Sequence, residues 1–188
     1  MMRRRPIIQP KKPVYLGCEG ESEVAYGQVL NDLLRATALP VHLHVEVLAP
    51  GAGDPLARVQ RALQRIAERE RRRVSFRLKA ILMDSDQATR GPERAAEAKS
   101  LAAQHDIALI WQDPCHEALL LRHMPNCSDH RPPICRVAQQ ALKRVWPEYE
   151  KPMARAQLAK RINLDAIRQV AGVEPELRAF LEDIGLLS

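Results

Sequence analysis

The chain has 188 residues and a mass of 21.2 kDa, the size of one compact domain, and its 46% apolar and 28% charged residues support a packed core and exclude disorder throughout. No run of about 18 uncharged apolar residues occurs, so a membrane-spanning helix is excluded on length. With 29 Lys and Arg against 23 Asp and Glu the chain favours an anionic partner such as nucleic acid, while two Trp, three Tyr and two Phe are too few for a base-stacking sheet and leave phosphate contact as the expected mode.

Residues 1–12 carry Arg3, Arg4, Arg5, Lys11 and Lys12 around two prolines and predict a basic N-terminal arm. Its apolar run ends after Ile7 and Ile8, short of a secretory signal core, so a cytoplasmic location is expected. Cys18, Cys115, Cys127 and Cys135 then imply no disulfide framework. Val14 to Cys18 reads as a strand closed by Gly17 and Gly20, and Ser22 opens a segment with Val24, Val29, Leu30, Leu33 and Leu34 at helical spacing. Val41, Leu43, Val45 and Val47 alternate with His42, His44 and Glu46, the period of a strand with one buried face. His42, His44 and Glu46 then form either zinc ligands or the polar face of an outer strand, and the second reading is favoured.

After the loop PGAGDP, Asp54 is a good N-cap for a helix running to about Arg73 with Leu56, Val59, Leu63 and Ile66 on one face. Phe76 to Met83 reads as a buried strand ending in Asp84-Ser85-Asp86. Gly91-Pro92 opens a helix through Ala103, and Ile107 to Trp111 is the next strand. This alternation predicts a doubly wound α/β fold with a mostly parallel sheet and helices on both faces. Residues 13–124 form its core, and residues 125–188, helical and broken by prolines, are an extension of the same domain.

In such a sheet ligands sit beyond the carboxyl ends of the strands, and here those positions are acidic. Glu19, Glu21 and Glu23 follow the first strand, Asp84 and Asp86 the third, and Asp113 and Glu117 the fourth. If the first and third strands are neighbours, these carboxylates crowd and raise one another's pKa unless a cation neutralises them. Hard oxygen donors point to magnesium or manganese, and a pair of such ions can clamp a phosphodiester for in-line attack. The competing reading is that the acids offset helix N-terminal dipoles.

Cys18-Glu19-Gly20-Glu21-Ser22-Glu23 after the first strand and Asp84-Ser85-Asp86 after a later one resemble the Glu and Asp-x-Asp motifs of the Toprim superfamily. Asp113-Pro114-Cys115-His116-Glu117 resembles the Asn-Pro-Cys-Phe-Glu stretch of the RloB-like proteins, a Toprim-related group of bacterial phage-defence loci, and Lys151 resembles a lysine late in that family. The resemblance spans residues 13 to about 155. It implies a Toprim-like core and a magnesium- or manganese-dependent nuclease working beside a separate ATPase. By the same resemblance Glu19, Glu23, Asp84 and Asp86 are the metal ligands, with Glu117 and Lys151 completing the catalytic set. The glutamate motif is one residue shorter than the family's, which leaves Glu21 as the alternative to Glu23; Asp113 stands in place of Asn and His116 in place of Phe.

An aspartyl phosphatase of the haloacid dehalogenase type is disfavoured, because its motif belongs after the first strand and Ala88 stands where its Thr is expected. No phosphate-binding loop Gly-x-x-x-x-Gly-Lys-Ser/Thr occurs, so nucleotide hydrolysis is left to a partner. His123, Cys127, His130 and Cys135, with His123 and Cys127 one helical turn apart, offer a structural zinc site as a minor option. Arg58, Arg61, Arg65, Arg69 and Arg72 step along one side of the second helix and form either a nucleic-acid phosphate track or a solvated face. The expected function is therefore a metal-dependent nuclease in anti-phage defence, the chain itself being a candidate homo-oligomer. The alternative is a non-catalytic nucleic-acid-binding or sensor subunit of an ATPase-containing complex.

Overall fold

The computed structural model describes residues 11–49 and 54–187. The basic stretch from Arg3 to Arg5 lies outside the described residues. Lys12, assigned to the arm by sequence, is instead the first residue of β1 (Lys12–Cys18); its N–H donates to the Pro40 carbonyl at 2.7 Å. The chain continues through α1 (Glu21–Ala36), β2 (Val41–Val47), α2 (Pro55–Arg71) and β3 (Leu78–Asp84). Then come α3 (Ser85–Arg90), α4 (Pro92–Gln104), β4 (Ile107–Gln112) and α5 (His116–Arg122). The last four helices are α6 (Cys135–Val145), α7 (Arg155–Leu158), α8 (Leu164–Ala171) and α9 (Pro175–Asp183).

The four strands pair in the order β2-β1-β3-β4, every pair parallel, as a doubly wound sheet requires. The chain winds from β1 outward to β2 and then returns to the other side of β1, so the reversal of strand order falls between β1 and β3. Their registers bring Cys18 opposite Leu82 and Asp84 opposite Gln112, which aligns the carboxyl ends of β1, β3 and β4 along one rim.

Alternation along β1 divides the core into two layers. Val14, Leu16 and Cys18 face α1 and the C-terminal helices, while Tyr15 faces α2 and α4. On the first side Tyr26, Val29, Leu30 and Leu34 of α1 are buried at helical spacing. The Asn31 side chain clamps α1 to β2, donating to the Leu43 carbonyl at 2.7 Å and accepting its N–H at 2.9 Å. Gly27 allows this approach: a Cβ there would stand 2.8 Å from Val45 Cγ1. Leu142, Tyr149, Ile167, Phe180 and Leu181 close the same layer, so the C-terminal helices share the core of β1 and α1.

α2 begins where its cap predicts, with Asp54 accepting the Leu56 N–H at 3.0 Å. His42, His44 and Glu46 lie on the edge strand β2, where the His44 ring packs edge-on against Phe76 and Glu46 pairs with Arg69. Two departures from sequence expectation bear on the site. The segment after Asp84 is the short helix α3, which has no buried residue and so no apolar periodicity to reveal it. α5 ends at Arg122, because Pro125 cannot extend a helix and Asn126 adopts φ 60; His123 and Cys127 are therefore not one turn apart on a helix.

Candidate functional site

The rim is assembled by the crossover between β1 and β3. Glu19, the first residue past β1, accepts the Asp84 N–H on Oε2 at 3.1 Å, and its Oε1 lies 3.5 Å from the Arg58 guanidinium. Asp84, the last residue of β3, accepts the His116 N–H on Oδ1 at 2.9 Å at the start of α5. Burial, then the charges of Glu23, Glu19 and Glu117, push its carboxyl up to about 9, with Lys151 opposing. Asp84 is thus held as a neutral acid at pH 7. Burial also raises Glu19, against the lowering effect of the Asp84 N–H and Arg58.

Glu23 is buried and Glu21 exposed, so Glu23 is the residue of the first motif that faces the rim. Its Oε2 accepts the Gly20 N–H at 3.1 Å, which caps α1. Glu117 is buried on α5, with Lys151 Nζ at 2.8 Å from Oε1 and the Tyr149 hydroxyl and Gln139 amide at 3.4 Å. Burial drives the Glu117 carboxyl up, but the Lys151 ammonium more than offsets it and the net displacement is downward. Its Oε2 is buried and accepts no hydrogen bond from the described residues.

Glu19, Glu23, Asp84, Glu117 and Lys151 therefore gather at one point. Asp86 stands to the side on α3: its charge still reaches Glu19, but its carboxylate pairs with Arg90 at 3.4 Å. It lines a cleft of about 430 Å³ with Ser85, Asp113, Ile134, Cys135 and Arg136. Asp113 accepts the Ser85 hydroxyl at 2.7 Å in that cleft.

The donor chemistry suits a hard divalent cation, yet the disposition does not. Glu19 is engaged by a backbone N–H and Arg58, Glu23 by Gly20, Asp84 by His116 and Glu117 by Lys151. Among the described residues no three His, Cys, Asp or Glu side chains are placed to hold one metal ion. The same holds for the zinc option. His123 is buried between the Tyr26 hydroxyl at 3.1 Å and the Leu119 carbonyl at 2.9 Å, while Cys135 Sγ faces the Pro114 carbonyl. Burial drives His123 down to about 4, so its ring is neutral.

The five arginines Arg58, Arg61, Arg65, Arg69 and Arg72, the last being the C-cap of α2, do not share one exposed face. Arg58 is buried, donating to the Leu48 carbonyl at 2.9 Å behind Glu19. Arg69 is held by Glu46 at 2.6 Å, whereas among the described residues Arg61 and Arg65 bond only Gln64 and Glu68 of their own helix, and Arg72 is exposed.

Sequence reasoning missed the groups that brace the rim from behind. Gln112 and His116 bond at 2.8 Å, both buried, and Arg122 is wholly buried with Nε 2.6 Å from Glu174 Oε1. Only the polarity of Arg122 inside the apolar run Ala118–Leu121 hinted at this.

The placement of acids at this rim accompanies a match to the family model of the RloB-like protein over residues 14–174. The chain belongs to the RloB-like family. No curated protein and no solved structure matches it. The matched span of this RloB-like chain takes in the rim, α2 and the Arg122–Glu174 pair, and ends just before α9.

Proposed function

We propose that this RloB-like chain is a nucleic-acid-binding or sensor subunit of a prokaryotic defence complex, acting beside a separate ATPase, and is not itself a metal-dependent nuclease. The observation that carries this reading is the engagement of the rim: Glu19, Glu23, Asp84 and Glu117 each already meet a cation or a backbone N–H of the chain through at least one oxygen, and among the described residues no three such side chains are placed to hold one ion. The cationic surplus, the half-buried Arg61 and Arg65 and the exposed Arg72 support phosphate contact in its place. The missing phosphate-binding loop supports a partner as the source of nucleotide hydrolysis.

The nuclease reading keeps one specific observation in its favour. Three carboxylates raise Asp84, and the buried Glu117 Oε2 has no donor, a pattern that a bound cation would relieve. Incubating fluorescent single-stranded DNA, RNA and tRNA with the chain, with and without manganese, separates the two. Salt-sensitive binding without cleavage supports the subunit reading. Manganese-dependent cleavage that disappears in Asp84→Ala restores the nuclease.

A further inference from the structure

We propose that Cys115 and Cys135 are a thiol pair that a small dissolved disulfide such as oxidised glutathione closes to an intramolecular disulfide, a reversible crosslink beside the acidic rim. All four cysteines are free in the structure, and in this pair the sulfurs meet: the Cys115 thiol donates to Cys135 Sγ. Cys18 and Cys127, by contrast, are buried with no second thiol beside them among the described residues and serve only to fill apolar space.

The contact follows from how two helices start. Cys115 is the N-cap of α5 and Cys135 the first residue of α6, and three positions after each stands a buried alanine, Ala118 and Ala138. The four residues pack as one small cluster, because side chains of this size let the first turns of the two helices approach closely. Cys135 Sγ also lies 4.0 Å from the carbonyl oxygen of Pro114, the residue before Cys115. A rotation of the half-buried Cys135 side chain brings the two sulfurs from contact to bonding distance, about 2 Å.

Burial sets the order of events. Cys115 is 1% exposed, whereas Cys135 is half-buried and lines the cleft of about 430 Å³ with Asp86, Arg90 and Arg136. A dissolved disulfide therefore reaches Cys135 first. The Cys135 thiolate attacks one sulfur of oxidised glutathione, the S–S bond of that reagent breaks, and one glutathione leaves as its thiolate. Cys115 then attacks Cys135 Sγ in the mixed disulfide and expels the second glutathione. Two cysteine thiols are oxidised, one glutathione disulfide is reduced, and the two cysteine protons end on the two glutathione thiols.

The same burial favours the closed form. It raises both thiols, so the reduced pair holds no stabilised thiolate, and a stabilised reduced form is what makes a disulfide easy to reduce. Once closed, the bond pins the start of α6 to the loop that orders the rim. In that loop the Pro114 carbonyl accepts the Asp86 N–H at 3.1 Å, and the His116 N–H donates to Asp84.

The test equilibrates the full chain in glutathione buffers from fully reduced to fully oxidised, quenches with acid, alkylates under denaturant, and reads intact mass and peptide maps. Oxidation should leave two alkylatable thiols in place of four, join the peptides that carry Cys115 and Cys135, and raise the melting temperature by at least about 5 °C, as expected for closing a loop of about 20 residues. Dithiothreitol should restore all four thiols. Cys115→Ser should stop at one glutathione held on Cys135, and Cys135→Ser should take up none at position 115. The main reading is made on the parent chain, so it stands whether or not the variants fold. Four free thiols in the fully oxidised buffer would overturn the proposal. So would a crosslink that uses Cys18 or Cys127, one that joins two chains, or glutathione that persists on Cys135 of the parent.

Discussion

Glu19 Oε2 accepts the backbone N–H of Asp84 at 3.1 Å, joining residues 65 positions apart across the point where the order of strands reverses. The bond explains how two acids sit side by side at this rim: Glu19 accepts a backbone donor, and burial with the neighbouring charges favours the protonated form of Asp84. Asp84 is raised to about 9. A group raised in the folded state contributes stability that is complete below its unfolded value, near 4, and is lost as pH rises through the folded value.

Asp84→Asn should therefore leave stability almost unchanged at pH 4 and increase it progressively toward pH 9, since the amide oxygen can still accept the His116 N–H. For a chain of this length each kcal/mol corresponds to about 2–4 °C in melting temperature. Melting curves of parent and variant from pH 4 to 9 check it. Parallel curves would mean that Asp84 is ionised in the folded protein and that its neighbours do not crowd it.

Lys151→Ala leaves Glu117 buried with only the distant Tyr149 and Gln139 donors. Half of the lysine is solvent-exposed, so screening reduces the loss, and about 1–2 kcal/mol is expected at pH 7. Glu117 is lowered in the parent, so its share of stability is present above the unfolded carboxylate value and disappears as pH falls. The difference between parent and variant should accordingly close below about pH 4. Urea unfolding at pH 7 and pH 4 measures both limits, and a gap independent of pH would assign the loss to packing of the lysine stem.

The strands, the two faces of the sheet and the acidic rim were legible because period-two alternation and carboxylates at strand ends are local signals. That β1 and β3 are neighbours, on which the crowding depends, is open in the sequence and is set by the strand order β2-β1-β3-β4. What was not legible depends on tertiary context. Arg58 sits in the same register as Arg61 and Arg65, and nothing in the spacing tells that it turns inward to the Leu48 carbonyl and Glu19. Asp86 is two residues from Asp84, yet α3 rotates its carboxylate away to Arg90. The cysteine and histidine group is dense in sequence, but Pro125 ends α5, His123 bonds Tyr26 and Leu119, and Cys135 faces the Pro114 carbonyl.

Arg122→Met should be among the most destabilising single changes, by about 3–5 kcal/mol, because it strands Glu174 in the interior. It also removes the donor to the Asp113 carbonyl at 2.9 Å, which fixes the loop leading into α5. Adding Glu174→Gln to Arg122→Met should recover part of the loss by removing the unpaired charge. Chemical denaturation of the parent, single and double variants tests this, and strict additivity of the two changes would contradict a coupled pair.

Arg61, Arg65 and Arg72 make the last prediction. Arg58 and Arg69 are committed to Glu19, Leu48 and Glu46, so their removal disturbs the fold and cannot report on ligand contact. Among the described residues the Arg61 and Arg65 side chains bond only Gln64 and Glu68 of their own helix, and Arg72, the C-cap of α2, is exposed, so these three are the candidates to meet phosphate. Each phosphate neutralised releases condensed counterion, so removing all three should shrink the slope of log affinity against log salt by about 0.7–0.9 per lost contact. Relative affinities among oligonucleotide sequences should stay constant, because phosphate contacts position the ligand without reading bases. Fluorescence anisotropy across a salt series, with the melting temperature as control for folding, gives the slope directly. A slope equal to the parent's would make this side of α2 a solvated face and move the nucleic-acid contact elsewhere on the chain.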